Sequence, residues 1–177
     1  MSRERWIAEG MRVLSEDGIA GVRIDRVAGR LGLSKGSFFH HFEGIAAYRR
    51  AILERWESGA VRELGDAPAQ ARLEDLAARV GTLVDLRLEV AIRAWAFQDA
   101  EAAAAQERVD VARLSALERV WSRMVDDPVR AHAAALLPHL LMIGASVALP
   151  ATSRADLEAA FGLLAELIPS VPPGEGR

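Results

Sequence analysis

Apolar residues recur at helical spacing along almost the whole 177-residue chain, and nowhere do they alternate as a half-buried strand requires. Ile7, Met11 and Leu14 mark a first helix, with Gly18 placed to stop it. In IDRVAGRLG, Ile24, Val27, Ala28 and Leu31 fall at i, i+3, i+4 and i+7, and Gly32 can take the left-handed conformation that ends a helix. Ser34 suits an N-cap, because its hydroxyl can accept from a backbone N–H two or three residues on, and predicts a third helix to about His41. Longer helices are expected over Ile45 to Leu64, closed by GDAP, and over Ala69 to Val84, Leu86 to Phe97 and Glu101 to Val125. Asp126 or Asp127 caps the next, over 128–149, with Pro128 at its first position, where a missing N–H costs nothing. Thr152 or Ser153 opens a last helix from Arg154 to Ile168, and SVPPGEGR, residues 171–177, reads as a disordered tail. The expected fold class is all-α, with about nine helices.

Between Ala133 and Leu149 almost every position is apolar, whereas a helix on a monomer's surface keeps a polar face. This helix has to be covered on two sides. The last helix is its natural neighbour, and the same pair from a second subunit would complete a two-fold four-helix interface. The expected interface residues are Leu136, Leu140, Ile143 and Val147 on one helix and Leu157, Phe161 and Leu164 on the other. The alternative is a central helix in a monomeric bundle. Pro138, His139 and Ser146 interrupt the apolar run, which falls short of the ~20 residues needed to cross a bilayer. No membrane association is expected.

Charge changes the picture at one end. Residues 1–55 carry ten Lys/Arg against seven Asp/Glu, leaving 12 against 18 for the rest, so a basic front precedes an acidic body within a chain of net charge −3. That asymmetry suits a front that meets phosphate. Cysteine is absent, which excludes disulfides and thiolate metal sites, and MSRERWIAEGMRVLSEDG carries charges where a signal peptide needs its apolar stretch. A cytoplasmic protein is expected.

The segment LGLSKGSFFHHF, residues 31–42, holds the only lysine in a chain with 21 arginines. A helix of IDRVAGRL, a turn of GLS and a helix of KGSFFHHF match a helix-turn-helix, whose second helix lies in the major groove with its first residues towards the DNA. Ser34, Lys35 and Ser37 would put donors on that first turn, and Gly36 lets the backbone approach a phosphate. The spacing also allows an ordinary helical hairpin with a polar start. Phe38 and Phe42, four apart, point to one side and suit the small core.

GVRIDRVAGRLGLSKGSFFHHF resembles the DNA-binding domain of the tetracycline-repressor (TetR) family of bacterial transcription regulators, through Gly21, Ile24, Val27, Ala28, Gly32, Ser34, Gly36 and Phe42. The likeness covers about residues 5–55; AIRAWAFQDA and the helix after it are more loosely similar to the ligand-binding domains of one branch. It implies a homodimer with a helix-turn-helix domain at 1–46 and a ligand-binding and dimerisation domain at 47–170, a palindromic double-stranded DNA operator, and release by a small-molecule inducer. It also implies that Arg23 contacts phosphate, that Ser34, Lys35 and Ser37 touch phosphate or base edges, and that His40, with His41 either at DNA or packed beside Phe42, continues the contact. Two positions depart from the family pattern. Phe39 stands where a tyrosine hydroxyl usually bonds phosphate, and Ile45 where a lysine usually does. Arg3, Arg5 and Arg49 are the cations placed to compensate.

For the larger domain, Trp95, Trp121, Met124 and Met142 offer adaptable apolar surface for a ligand pocket, with His139 able to reach it, although such residues also make plain core. His132 and His139 lie ~10 Å apart by helical rise, too far to share a metal without other ligands. Arg93 suits either an acidic ligand or a salt bridge to a neighbouring helix. There is no Glu-x-x-His pair, phosphate-binding glycine loop or cysteine nucleophile, so neither catalysis nor a cofactor is expected. The competing expectation is a helical dimeric module that binds a small molecule or a protein and has lost useful operator affinity.

Overall fold

The computed structural model describes residues 2–65, 85–148 and 152–170. Among them are eight helices and no strand: α1 (Arg3–Gly21), α2 (Ile24–Leu31), α3 (Lys35–Phe39), α4 (Ile45–Gly65), α5 (Leu86–Ala96), α6 (Ala100–Trp121), α7 (Pro128–Val147) and α8 (Arg154–Ser170). The helix expected over 69–84 and the tail at 171–177 lie outside the described residues.

Several boundaries are set by local chemistry. Gly18 does turn the chain, with a φ of 69°, but helical bonding resumes beyond it to Gly21. Gly32, at φ 67° and ψ 32°, ends α2 in the left-handed conformation that a residue with a Cβ rarely adopts. Ser34 Oγ accepts from Ser37 N at 3.3 Å and opens α3. Asp127 caps α7 by accepting from Val129 N at 2.9 Å, and Ser153 Oγ accepts from Asp156 N at 3.1 Å at the start of α8. The third helix is shorter than its periodicity suggests. It stops at Phe39, and the N–H groups of His41 and Phe42 both donate to the Phe38 carbonyl as the chain turns.

Described residues within Met1–Arg62 and Asp85–Asp110 form one compact unit, and those within Glu63–Val84 and Val111–Arg177 form a second. The first has a continuous core in which Trp6, Ile7, Leu14, Val27, Phe38, Tyr48, Ile52 and Ile92 are almost fully buried. Phe38 is central. Its ring meets Trp6 at 5.4 Å and Tyr48 at 5.3 Å edge-on, and Phe42 at 5.2 Å. Such pairs add roughly 0.5–1.5 kcal/mol each to the burial of their area. Tyr48 donates its hydroxyl to the Trp6 carbonyl, and Gly10 makes room for it: a Cβ there would lie 2.3 Å from Tyr48 Oη.

Ion pairs join α2 to α1. The buried Glu9 accepts from Arg30 Nε at 2.6 Å and pairs with Arg12 at 3.0 Å, while Arg30 also reaches Glu16 and Arg26 reaches Asp17. Further along, Trp56 Nε1 donates to the buried Glu89 at 3.1 Å, and Arg93 grips Asp110 with two bonds of 2.9 and 2.8 Å. Arg93 thus makes the salt bridge between neighbouring helices.

The second unit is built differently. Trp121 is buried among Ala131, Ala134 and Ala135, with Leu114, Leu117 and Val125 packed against them. A separate cluster joins Ala145, Leu157 and Phe161 to Leu141 and Met142. Among the described residues, no helix is long and apolar enough to cross a membrane.

Candidate nucleic-acid interface

The fold brings the expected DNA-facing residues together on one short, outward edge. α3 spans little more than one turn, and Phe38 anchors it by pointing into the core. Lys35, Gly36, Phe39 and His40, at i, i+1, i+4 and i+5, therefore share the outer face and are exposed, with Ser34 exposed just before them. Ser37 and His41 are half-buried at the margins of this face, and the His41 ring lies 6.4 Å from that of Phe42. Among the described residues no carboxylate pairs with Lys35, whose side chain is exposed.

The Phe39 ring, 57% exposed, stands edge-on to Phe38 at 5.4 Å. A large apolar ring on this outer edge offers stacking or van der Waals surface but no donor. Ile45 packs against the core of the first unit, so an apolar contact occupies the start of α4 where a cation was expected from the family pattern.

Arg23 is exposed immediately before α2, but its Nε and Nη2 donate to Asp25 at 3.2 and 2.6 Å. The guanidinium holds the Asp25 carboxyl down at about 2, below its ordinary range. This pairing was the principal missed feature of the edge. Its one sequence signal is an acid two residues after the arginine. Arg49 faces inward: it is half-buried, with Nη2 directed at the Val22 carbonyl 3.4 Å away.

The residues expected to line a ligand pocket fall in separate places. Trp95 is buried in the core of the first unit, Trp121 belongs to the alanine cluster of the second, and Met142 packs on the Ala145, Leu157 and Phe161 cluster. Met124 is exposed and His139 half-buried. Of the expected interface residues, Leu140 and Val147 are well exposed, Leu136, Ile143 and Leu164 are half-buried, and Leu157 and Phe161 are buried against their own subunit. The exposed positions of α7 are regular. Ala133, Leu137, Leu140, Gly144 and Val147 alternate at spacings of four and three, which places them on one face. Leu137 on this face and Leu163 of α8, 54% exposed, were not singled out from sequence, although the same periodicity contains Leu137.

A capped, outward helix that follows a short helix across a tight turn, both packed on one core, has the arrangement of a helix-turn-helix. Residues 7–52 match the family model of bacterial regulatory proteins, tetR family. That match covers the helix-turn-helix segment and leaves the rest of the chain outside the family model. Over nearly its whole length the chain also resembles solved structures. A transcriptional regulator from Rhodococcus sp. Rha1 has a TM-score of 0.78 at 22% identity, over 97% of this chain and 100% of that one. Reduced NemR of E. coli has a TM-score of 0.73 at 20% identity, over 92% and 95% of the two chains. The multidrug binding protein EbrR, complexed with imidazole, has a TM-score of 0.66 at 22% identity, over 99% of each. At these identities the likeness is one of fold. No curated protein sequence matches the chain.

Proposed function

We propose that this chain is a cytoplasmic, homodimeric transcriptional repressor that holds a palindromic operator and releases it when a small-molecule inducer binds the helical body at 47–170. The observation that carries the proposal is the outward edge of Ser34, Lys35, Gly36, Ser37 and His40 on a helix anchored by Phe38. Lys35 brings an unpaired cation, and the hydroxyls of Ser34 and Ser37 bring neutral donors. The imidazole of EbrR supports a small-molecule ligand by analogy of fold. The apolar face of α7 supports a second subunit.

In this mechanism the two recognition helices of a dimer enter successive major grooves, ~34–36 Å apart. Inducer binding favours a conformation in which that spacing is wrong, and the operator is released by a shift of population. α4, which follows the helix-turn-helix directly, is the lever.

Fluorescence anisotropy with labelled duplex from the DNA flanking the gene, titrated at several salt concentrations, tests the proposal. Specific, salt-sensitive binding that Lys35→Ala abolishes is the expected result. Uniformly weak binding to any duplex would instead indicate a helical ligand- or protein-binding module, the reading that Phe39 and Ile45 favour.

A further inference from the structure

The first 55 residues carry ten basic side chains, and the structure divides them sharply. Arg12, Arg23, Arg26, Arg30, Arg50 and Arg55 each face a carboxylate, on Glu9, Asp25, Asp17, Glu9 and Glu16, Glu101, and Glu4 respectively. Arg49 is turned towards the Val22 carbonyl. Arg3, Arg5 and Lys35 are exposed and have no such partner among the described residues. Lys35 already belongs to the recognition edge, which leaves the two arginines of the first turn of α1.

Their position is unfavourable for the helix itself. The N-terminal end of a helix carries the positive pole of its dipole, so acids are preferred there and two cations work against it. A local rule broken with no carboxylate to offset it suits a role outside the fold. Arg3 and Arg5 do not share that role, because two residues of helix separate them by about 200° around the axis. Arg3 shares its face with the buried Trp6 and Ile7, three and four residues on, and its guanidinium carbon lies 5.1 Å from the centre of the Phe42 ring. Phe42 is also the ring beside His41. Arg3 is therefore seated next to the end of the recognition segment, whereas Arg5 points away from it.

The mode of seating matters. A guanidinium lying over an aromatic ring uses its face for that contact and keeps its edge N–H groups free, and those are the groups that match a phosphate in a two-pronged way. The carboxylate-paired arginines have spent some of the same groups. We propose that Arg3 of each subunit is a DNA-backbone contact, pre-positioned on Phe42 and supplying a phosphate donor that Phe39 and Ile45 do not. The inference rests on the operator-binding function proposed above.

Anisotropy titrations of the full-length protein on labelled duplex from the DNA flanking the gene, over a range of salt, compare the unmodified protein with Arg3→Gln and Arg5→Gln. Arg3 is exposed at the first residue of a helix, so folding of the variant is expected to be intact and is checked by circular dichroism. The expected result is that Arg3→Gln lowers the log–log salt slope by ~0.9 per subunit, or about 1.8 per dimer, while Arg5→Gln leaves it unchanged. A slope for Arg3→Gln equal to that of the unmodified protein overturns the proposal. An equal fall with Arg5→Gln does so too, since the effect would then be one of general charge. If the unmodified protein itself shows no salt-sensitive binding to any duplex, operator binding fails and the Arg3 contact fails with it, an outcome distinct from either of the others.

Discussion

The first unit buries six aromatic side chains in one continuous core around Phe38, Tyr48 and Trp6, and pairs Glu9 with Arg30 and the Tyr48 hydroxyl with the Trp6 carbonyl. Among the described residues of the second unit there are two small clusters, one of Trp121 with three alanines and one of Ala145, Leu157 and Phe161, while Leu137, Leu140, Val147 and Leu163 are about half exposed or more. Large apolar side chains thus lie at the surface of this unit as well as inside it. The contrast teaches that the first unit closes its core within one chain, whereas the second keeps large apolar side chains at its surface, where the proposed second subunit would cover them.

The largest test of that contrast is Phe38→Ala. It removes the ring on which Trp6, Phe42 and Tyr48 converge, and the expected loss is about 3–5 kcal/mol in urea denaturation, with α3 losing its anchor. A loss below ~1 kcal/mol would show that the aromatic core does not carry the first unit. Next is Leu140→Arg, on the exposed face of α7. In the proposed two-fold interface the substitution counts twice, so at ~1.5 kcal/mol per leucine it is expected to weaken the dimer by about 3 kcal/mol, on the order of a hundredfold. Analytical ultracentrifugation reads this directly, and an unchanged sedimentation profile would remove that face from the interface.

The smallest effect sharpens the account of the first unit. Burial, with the charge of Glu9 as a lesser cause, pushes the Tyr48 phenol up from its ordinary value. The folded state thus favours the protonated phenol, so its contribution to stability is intact below about pH 10 and is lost as pH rises beyond that. Tyr48 is the only tyrosine, so phenolate absorbance reports on it alone. Its ionisation is expected to lag behind that of an exposed tyrosine, and Glu9→Gln is expected to move it back. Ionisation at the ordinary value in a folded protein would contradict the buried hydroxyl contact.

What was legible in the sequence was mostly what acts over short distances. Ser34, Asp127 and Ser153 cap their helices through bonds that reach two or three residues, and helical periodicity placed Phe38 and Phe42 in the core. Contacts between distant segments were hidden. Glu9 and Arg30 are 21 residues apart, and only an acid lying on the apolar face of α1 hinted at the pair. The interface residues show a different limit. Periodicity says that a face of α7 or α8 is apolar, but not which chain covers it. Leu157 and Phe161 are covered by their own subunit, while Leu137 and Leu163 are not. On the outer face of α3, spacing was enough to expect Lys35 and His40 to be exposed, whereas the pairing of Arg23 with Asp25 and the seating of Arg3 on Phe42 are side-chain contacts that spacing does not show.

The lone lysine has a practical consequence. Apart from the terminal amine, Lys35 is the only primary amine in the chain, and it sits on the exposed outer face of α3. An acylating reagent therefore marks the outer face of α3 and, beyond the terminal amine, almost nothing else, so that the proposed operator contact would be read as protection of that single position by duplex DNA, which the 21 arginines leave undisturbed.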